Sequence, residues 1–176
     1  MLMKIAIVSS SLNPGSRSRL LALQAKARIE ESENVEVDLI DLQELELPLC
    51  DGGATYGDPA VIELSSRMEA ADAYVLASPI YNYGFNAALK NVIEFAGRKM
   101  ENKLVGFLCA AGGANSYMGA MSFANSLMLD FRTIVLPRFV YATGDDWEGD
   151  SLKPSIADRL SQFSDDLVSF GRKLAG

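Results

Sequence analysis

Ala73-Tyr74-Val75-Leu76-Ala77-Ser78-Pro79-Ile80-Tyr81-Asn82-Tyr83-Gly84-Phe85-Asn86-Ala87-Ala88-Leu89-Lys90-Asn91 runs from apolar residues through a polar turn into a helical pattern. Ala73–Ala77 is apolar on both faces, which predicts a buried strand. Beyond the turn, Leu89, Val92, Ile93 and Ala96 recur at helical spacing, and Asn86 stands where an N-cap belongs. The same strand-to-helix change repeats outward in both directions. Met3–Val8 is a β-branched strand stopped by Ser9-Ser10-Ser11, and Ser16–Glu31 is a helix. Val35–Ile40 alternates as an edge strand, and Gln43–Gly57, with Pro48 and three glycines, is a long loop. Asp58-Pro59 opens a helix reaching about Ala71. A strand over Lys103–Ala111 ends in Gly112-Gly113. There follow a helix over 115–130, a strand from Thr133 to Tyr141 and an amphipathic helix from Lys153 to Leu174. Alternation of this kind predicts an α/β fold, a three-layer sandwich around a five-stranded parallel sheet of order 2-1-3-4-5.

The 176 residues are expected to form one domain, 1–176. A net charge of −7 without a Lys/Arg cluster argues against nucleic acid or a membrane surface as partner. With no apolar run approaching ~20 residues and no signal-peptide pattern, the expected location is cytoplasmic. The chain has no histidine, which removes Ser-His-Asp and Cys-His catalysis and histidine-ligated zinc. Cys50 and Cys109 are far apart, form no C-x-x-C pair and read as free thiols.

In a sheet of this order, ligands sit beyond the carboxyl ends of the strands at the switch point. Three turns fall there: Ser9–Ser18, Ser78–Asn86 and Ala110–Ser116. The first, SSSLNPGSRS, leads into a helix start. Backbone N–H groups, hydroxyls and the helix dipole make it an anion site, with Arg17 and Arg19 as candidate charges. It holds neither G-x-G-x-x-G nor G-x-x-x-x-G-K-[ST], so a dinucleotide or triphosphate is disfavoured. Six residues after Cys109 stands Asn115 and six after Cys50 stands Tyr56, so the Cys-x5-Arg phosphatase loop is absent. A receiver domain would need acidic residues where serines stand. A monophosphate with a flat aromatic body remains, namely FMN. Tyr81 and Tyr83 would contact its ring, Asn82 its polar atoms, and Gly84 would allow close approach. Taken alone, this turn reads equally well as a tyrosine-bearing turn before a capped helix.

SSSLNPGSRS, SPIYNYGFNAALKN and AAGG together resemble the NADPH-dependent FMN reductase family of flavodoxin-like proteins, over roughly residues 3–140. The most specific piece is Pro-x-Tyr-Asn followed by the Leu-Lys-Asn helix start. The resemblance implies FMN phosphate contacts at Ser11, Ser16, Arg17 and Ser18. Ring and ribityl contacts are implied at Pro79, Ile80, Tyr81 and Asn82, with Gly112 and Gly113 beyond. It implies hydride transfer from NADPH or NADH to FMN and on to a flavin, quinone, azo or similar small-molecule acceptor. No catalytic side chain and no metal are expected. Asn13 stands where many members carry arginine, so Arg17 or Arg19 would have to supply that charge. The other readings are a flavodoxin-like FMN electron carrier without nicotinamide turnover and a non-catalytic interaction protein. The helix after Gly113, with Tyr117, Met118, Met121, Leu127 and Met128, is more apolar than one stripe requires. With the family likeness it suggests a homodimer or homotetramer. Trp147 is read as a surface-anchored side chain, with reach to a neighbouring subunit's site as the alternative.

Overall fold

Residues 2–174 are described by a computed structural model; Met1, Ala175 and Gly176, part of the expected domain, lie outside the described residues. The strands are β1 (Met3–Ser9), β2 (Val35–Asp41), β3 (Ala73–Tyr81), β4 (Gly84–Phe85), β5 (Leu104–Ala110), β6 (Ile134–Val135), β7 (Val140–Ala142), β8 (Trp147–Glu148) and β9 (Ser151–Leu152). The helices are α1 (Arg17–Glu30), α2 (Pro59–Glu69), α3 (Ala87–Ala96), α4 (Met121–Phe131) and α5 (Pro154–Leu174). The parallel sheet runs β2-β1-β3-β5, with β6 and β7 both paired to β5 on its outer side. This is the expected 2-1-3-4-5 order, with a fifth strand in two pieces. Its interruption falls at Leu136–Phe139, where Pro137 has no N–H to give a ladder.

Alternate residues of each central strand feed two separate cores. Ile5, Ile7, Val75, Ala77 and Leu108 pack with Leu21, Ile29, Phe163 and Leu167 of α1 and α5. Ala6, Val8, Tyr74, Leu76 and Phe107 pack with Leu64, Met68, Leu89, Val92 and Leu127 on the other face. Each fully buried large side chain is worth about 1.5–3 kcal/mol of transfer free energy. The sheet is therefore pinned from both sides, and the ends of its strands are rigid points from which loops project.

Two expected boundaries move. β3 runs on to Tyr81 because Ser78 and Pro79 stay in register with Cys109 and Ala110, and Ile80 and Tyr81 then fold back onto Phe85 and Gly84. The helix expected over 115–130 begins as a 3-10 turn, Ala114–Ala120, with α4 following. Both cysteines are free; Cys109 is buried, and burial pushes its thiol well up, so it stays protonated and inert. No described helix is long and apolar enough to cross a membrane.

Gly106 of β5 faces α5, and a Cβ there would lie 2.6 Å from the Phe163 ring, so the aromatic takes the space a side chain would need. Gly106→Ala is expected to destabilise the protein by about 1–3 kcal/mol through overpacking, read from the shift of its urea unfolding midpoint.

Candidate functional site

The loops after β1, β3 and β5 meet at the carboxyl end of the sheet, and one side chain ties the first two of them to α3. Asn86, the N-cap of α3, is only 8% exposed. Its Oδ1 accepts from the Leu89 N–H at 3.2 Å and from the Ser10 hydroxyl at 2.8 Å. Its Nδ2 donates to the Ser10 carbonyl at 2.7 Å, and its backbone N–H donates to Ser78 Oγ at 3.3 Å. The end of β1, the middle of β3 and the start of α3 are thereby fixed to one another. Asn91, one turn on, holds the long loop: its Nδ2 donates to the Pro48 carbonyl and its Oδ1 accepts the Cys50 N–H.

Between the three loops lies an open cleft of about 450 Å³. Ser11, Ser16, Arg17 and Ser18 line one end, Pro79, Ile80 and Tyr81 another wall, and Gly112 a third. Eight of the ten residues expected from the sequence therefore face one cavity. Asn82 and Gly113 do not line it. Asn82 and Tyr83 are the two central residues of the β3–β4 hairpin, with φ of 50° and 66°, a left-handed pair that closes the turn. The Gly113 carbonyl is held by the Tyr141 hydroxyl, which donates at 2.7 Å. Burial pushes that phenol up, so it stays a donor. Gly144, in the loop after β7, lines the cleft and was not singled out; the sequence signal was the Thr143–Trp147 segment leaving the last strand on the same side.

The electrostatics of the cleft are opposite to those of the chain. Among the described residues, the only charged side chain lining it is Arg17, in a protein of net charge −7. It stands on the first turn of α1, which holds no acidic residue. Ser16 caps that helix, its Oγ accepting the Arg19 N–H at 3.2 Å and sharing a hydrogen bond with Ser18 Oγ at 2.9 Å. Ser11 Oγ accepts the Asn13 N–H at 3.3 Å, which leaves its own hydrogen to donate. Arg19 is turned away and paired to the buried carboxylate of Asp41, so it does not stand in for the family arginine. Asn13 shapes the loop instead, its Oδ1 accepting the Gly15 N–H at 3.0 Å. Arg17, by contrast, places its cation in the cleft. Its Nη1 donates to the Gly144 carbonyl at 3.1 Å, and its guanidinium lies 5.6 Å from the Trp147 ring centroid. Trp147 is buried, not surface-anchored, because β8 and β9 fold it under the sheet with Leu160. Helix N–H groups, a hydroxyl and one arginine, with an apolar wall beyond, fit a group that joins a phosphate to a flat ring.

The description of the NADPH-dependent FMN reductase family matches residues 3–148. The chain belongs to that family. FMN is the family's cofactor, and the expected class, an FMN-dependent NAD(P)H oxidoreductase, stands. An "NAD(P)H-dependent FAD/FMN reductase" of Geobacillus thermodenitrificans is 27% identical, across 94% of this chain and 92% of that protein. A protein of Oryza sativa subsp. japonica named "Probable NADPH:quinone oxidoreductase 2" is 28% identical, across 99% and 91%. The X-ray structure of an oxidoreductase from Corynebacterium diphtheriae superposes with a TM-score of 0.81 at 20% identity, over 98% of each chain, which shows the shared fold.

Asn86→Ala removes the α3 cap and takes the Asn86 Nδ2 donor from the buried Ser10 carbonyl. It is expected to cost about 2–4 kcal/mol in urea unfolding and to loosen the cleft, whereas Asn82→Ala on the exposed turn should cost under about 1 kcal/mol.

Proposed function

We propose that this cleft holds FMN, with its phosphate among Ser11, Ser16, Arg17 and Ser18 and its ring beside Pro79, Ile80, Tyr81 and Gly112. The reading is supported chiefly by one observation: among the described residues, the sole charged side chain in the cleft of an acidic protein is an arginine at a helix N-terminus. The chemistry supplied by bound FMN is hydride transfer from a nicotinamide to a second substrate. The chain's own residues bind and orient. The α1 N–H groups, the Ser11 hydroxyl and Arg17 take the phosphate; Ser16 and Ser18 hold the loop in shape around it. Pro79 and Ile80, fixed in β3, form an immobile apolar wall and keep water from one side. Gly112 presents backbone with open space before it, since a Cβ there would meet nothing within 4 Å. Tyr81, 54% exposed, stands at the rim. Among the described residues no carboxylate lines the cleft, and the chain has no histidine, so no described side chain is placed there to act as general base.

Asn82 and Gly113 are assigned a supporting part: Asn82 sets the hairpin that aims Tyr81, and Gly113 anchors the glycine turn to Tyr141. The second substrate is a planar acceptor, a flavin or a quinone, reduced at the expense of NADPH or NADH. The protein acts as a homo-oligomer, a reading supported by uncovered apolar side chains around α4: Tyr117, Met118, Met128 and Leu129, the last 76% exposed.

Arg17→Ala is expected to raise the Kd for FMN roughly 10- to 100-fold, the loss of a charge-assisted phosphate contact. It should leave thermal stability within a few degrees, because Arg17 is exposed. Quenching of flavin fluorescence measures the first and circular dichroism the second. Oxidation of NADPH or NADH, followed at 340 nm with FMN and a quinone, is the activity expected. Protein that binds FMN but consumes neither nicotinamide would sink the enzymatic reading in favour of the electron carrier.

A further inference from the structure

We propose that the loop after β7 belongs to the phosphate end of the cleft, with Trp147 and Gly144 as positioning residues for Arg17. The inference rests on the FMN reading above and goes beyond it by assigning a part to residues that no phosphate loop contains.

An arginine on an exposed first turn normally samples many rotamers, and a ligand must then order it. Here two contacts order it beforehand. The guanidinium lies against the Trp147 ring at 5.6 Å from the centroid, and its Nη1 donates to the Gly144 carbonyl at 3.1 Å. Each support is itself fixed. Trp147 is only 7% exposed and packed into the α1–α5 core. Its Nε1 is buried with no hydrogen-bond partner among the described residues. An unused donor means the position is served by the ring, its volume and its face, and not by the indole N–H. The turn that carries the Gly144 carbonyl is held at its start, where the Thr143 N–H and hydroxyl both donate to Asp146 Oδ2 at 2.7 Å. The loops also approach closely at Gly144: a Cβ there would sit 3.3 Å from the Gly112 carbonyl, a tight contact, and 3.7 Å from Arg17 Nη1. The loops after β5 and β7 and the start of α1 therefore close on one another at the arginine. The pre-set fork offers the phosphate a cation already in place, in a chain whose residue 13 is an asparagine occupied with its own loop.

The test is a set of fluorescence titrations with FMN and with riboflavin, which lacks the phosphate. Trp147→Leu is expected to weaken FMN roughly two- to sixfold and to leave riboflavin unchanged. Trp147→Phe keeps a ring face, discards the unpaired N–H and should retain most of the FMN affinity. In an Arg17→Ala background, Trp147→Leu should have no further effect on FMN. Should Trp147→Leu fail to fold by circular dichroism, Arg17→Lys serves instead: it keeps the charge but loses the fork and the stacking, and should bind FMN closer to Arg17→Ala than to the parent. Equal losses for both flavins, a Trp147→Leu effect that persists without Arg17, or an Arg17→Lys protein that binds FMN like the parent would each overturn the proposal. If the parent protein holds FMN no more tightly than riboflavin, the phosphate reading itself falls. A silent Trp147→Leu beside a damaging Arg17→Ala removes only the positioning role.

Discussion

A buried side-chain amide must find partners for both its oxygen and its nitrogen, because each unpaired group costs about 1–3 kcal/mol. Asn86 meets that demand only if the end of β1, the middle of β3 and the first turn of α3 lie where they do. The asparagine is thus a three-way constraint at the sheet's switch point, and the first two loops it ties form walls of the cleft that the loops after β5 and β7 complete. The two cores make the strand ends rigid; Asn86 makes the loops inherit that rigidity. A site for a flat ligand needs such walls, since binding to a mobile wall loses affinity to ordering.

The second constraint is charge. An anionic cofactor approaching a protein of net charge −7 meets repulsion that screening confines to about 8–10 Å, so the sign of the nearest groups decides the outcome. Several arginines are spent on carboxylates: Arg67 on Asp38, Arg28 on Asp165, Arg138 on Asp166 and Arg19 on Asp41. Arg17 is held by a carbonyl and a ring instead, partners that orient a cation without cancelling its charge. Those carboxylates lie elsewhere, and the helix N-terminus opens on a cleft that no carboxylate among the described residues lines.

Much of this was legible in the residues. Apolar runs of strand length between helical stripes gave the layers and the sheet order, and the switch-point rule then selected the three turns that line the cleft. Boundaries shifted where pairing overrode local chemistry. Pro79 looks like a strand breaker, yet β3 continues through it because β5 lies alongside and β4 folds back. Pro137 looks tolerable in an edge strand, yet the fifth strand divides there. Side-chain commitments were less legible. Nothing in the order of residues distinguishes Arg17 from Arg19; Asp41, more than twenty residues away, takes one and leaves the other. The hairpin took Asn82 out of the lining for a conformational reason, a positive φ, that the motif does not announce. Trp147 was misjudged because its short loop folds back through β8 and β9 into the core, a tertiary event without a local signal.

The most direct measurement is an amide chemical-shift map of the isotope-labelled protein titrated with FMN. The expected result is large shifts at Ser11 and Ser16–Ser18, at Ile80 and Tyr81 and at Gly112, with Gly144 following through Arg17, and little change in the leucine-lined groove of Leu45, Leu47 and Leu49 on the other side of the first loop. Shifts confined to that groove, with the Arg17 and Gly112 amides unmoved, would contradict the assignment of the cleft as the cofactor site.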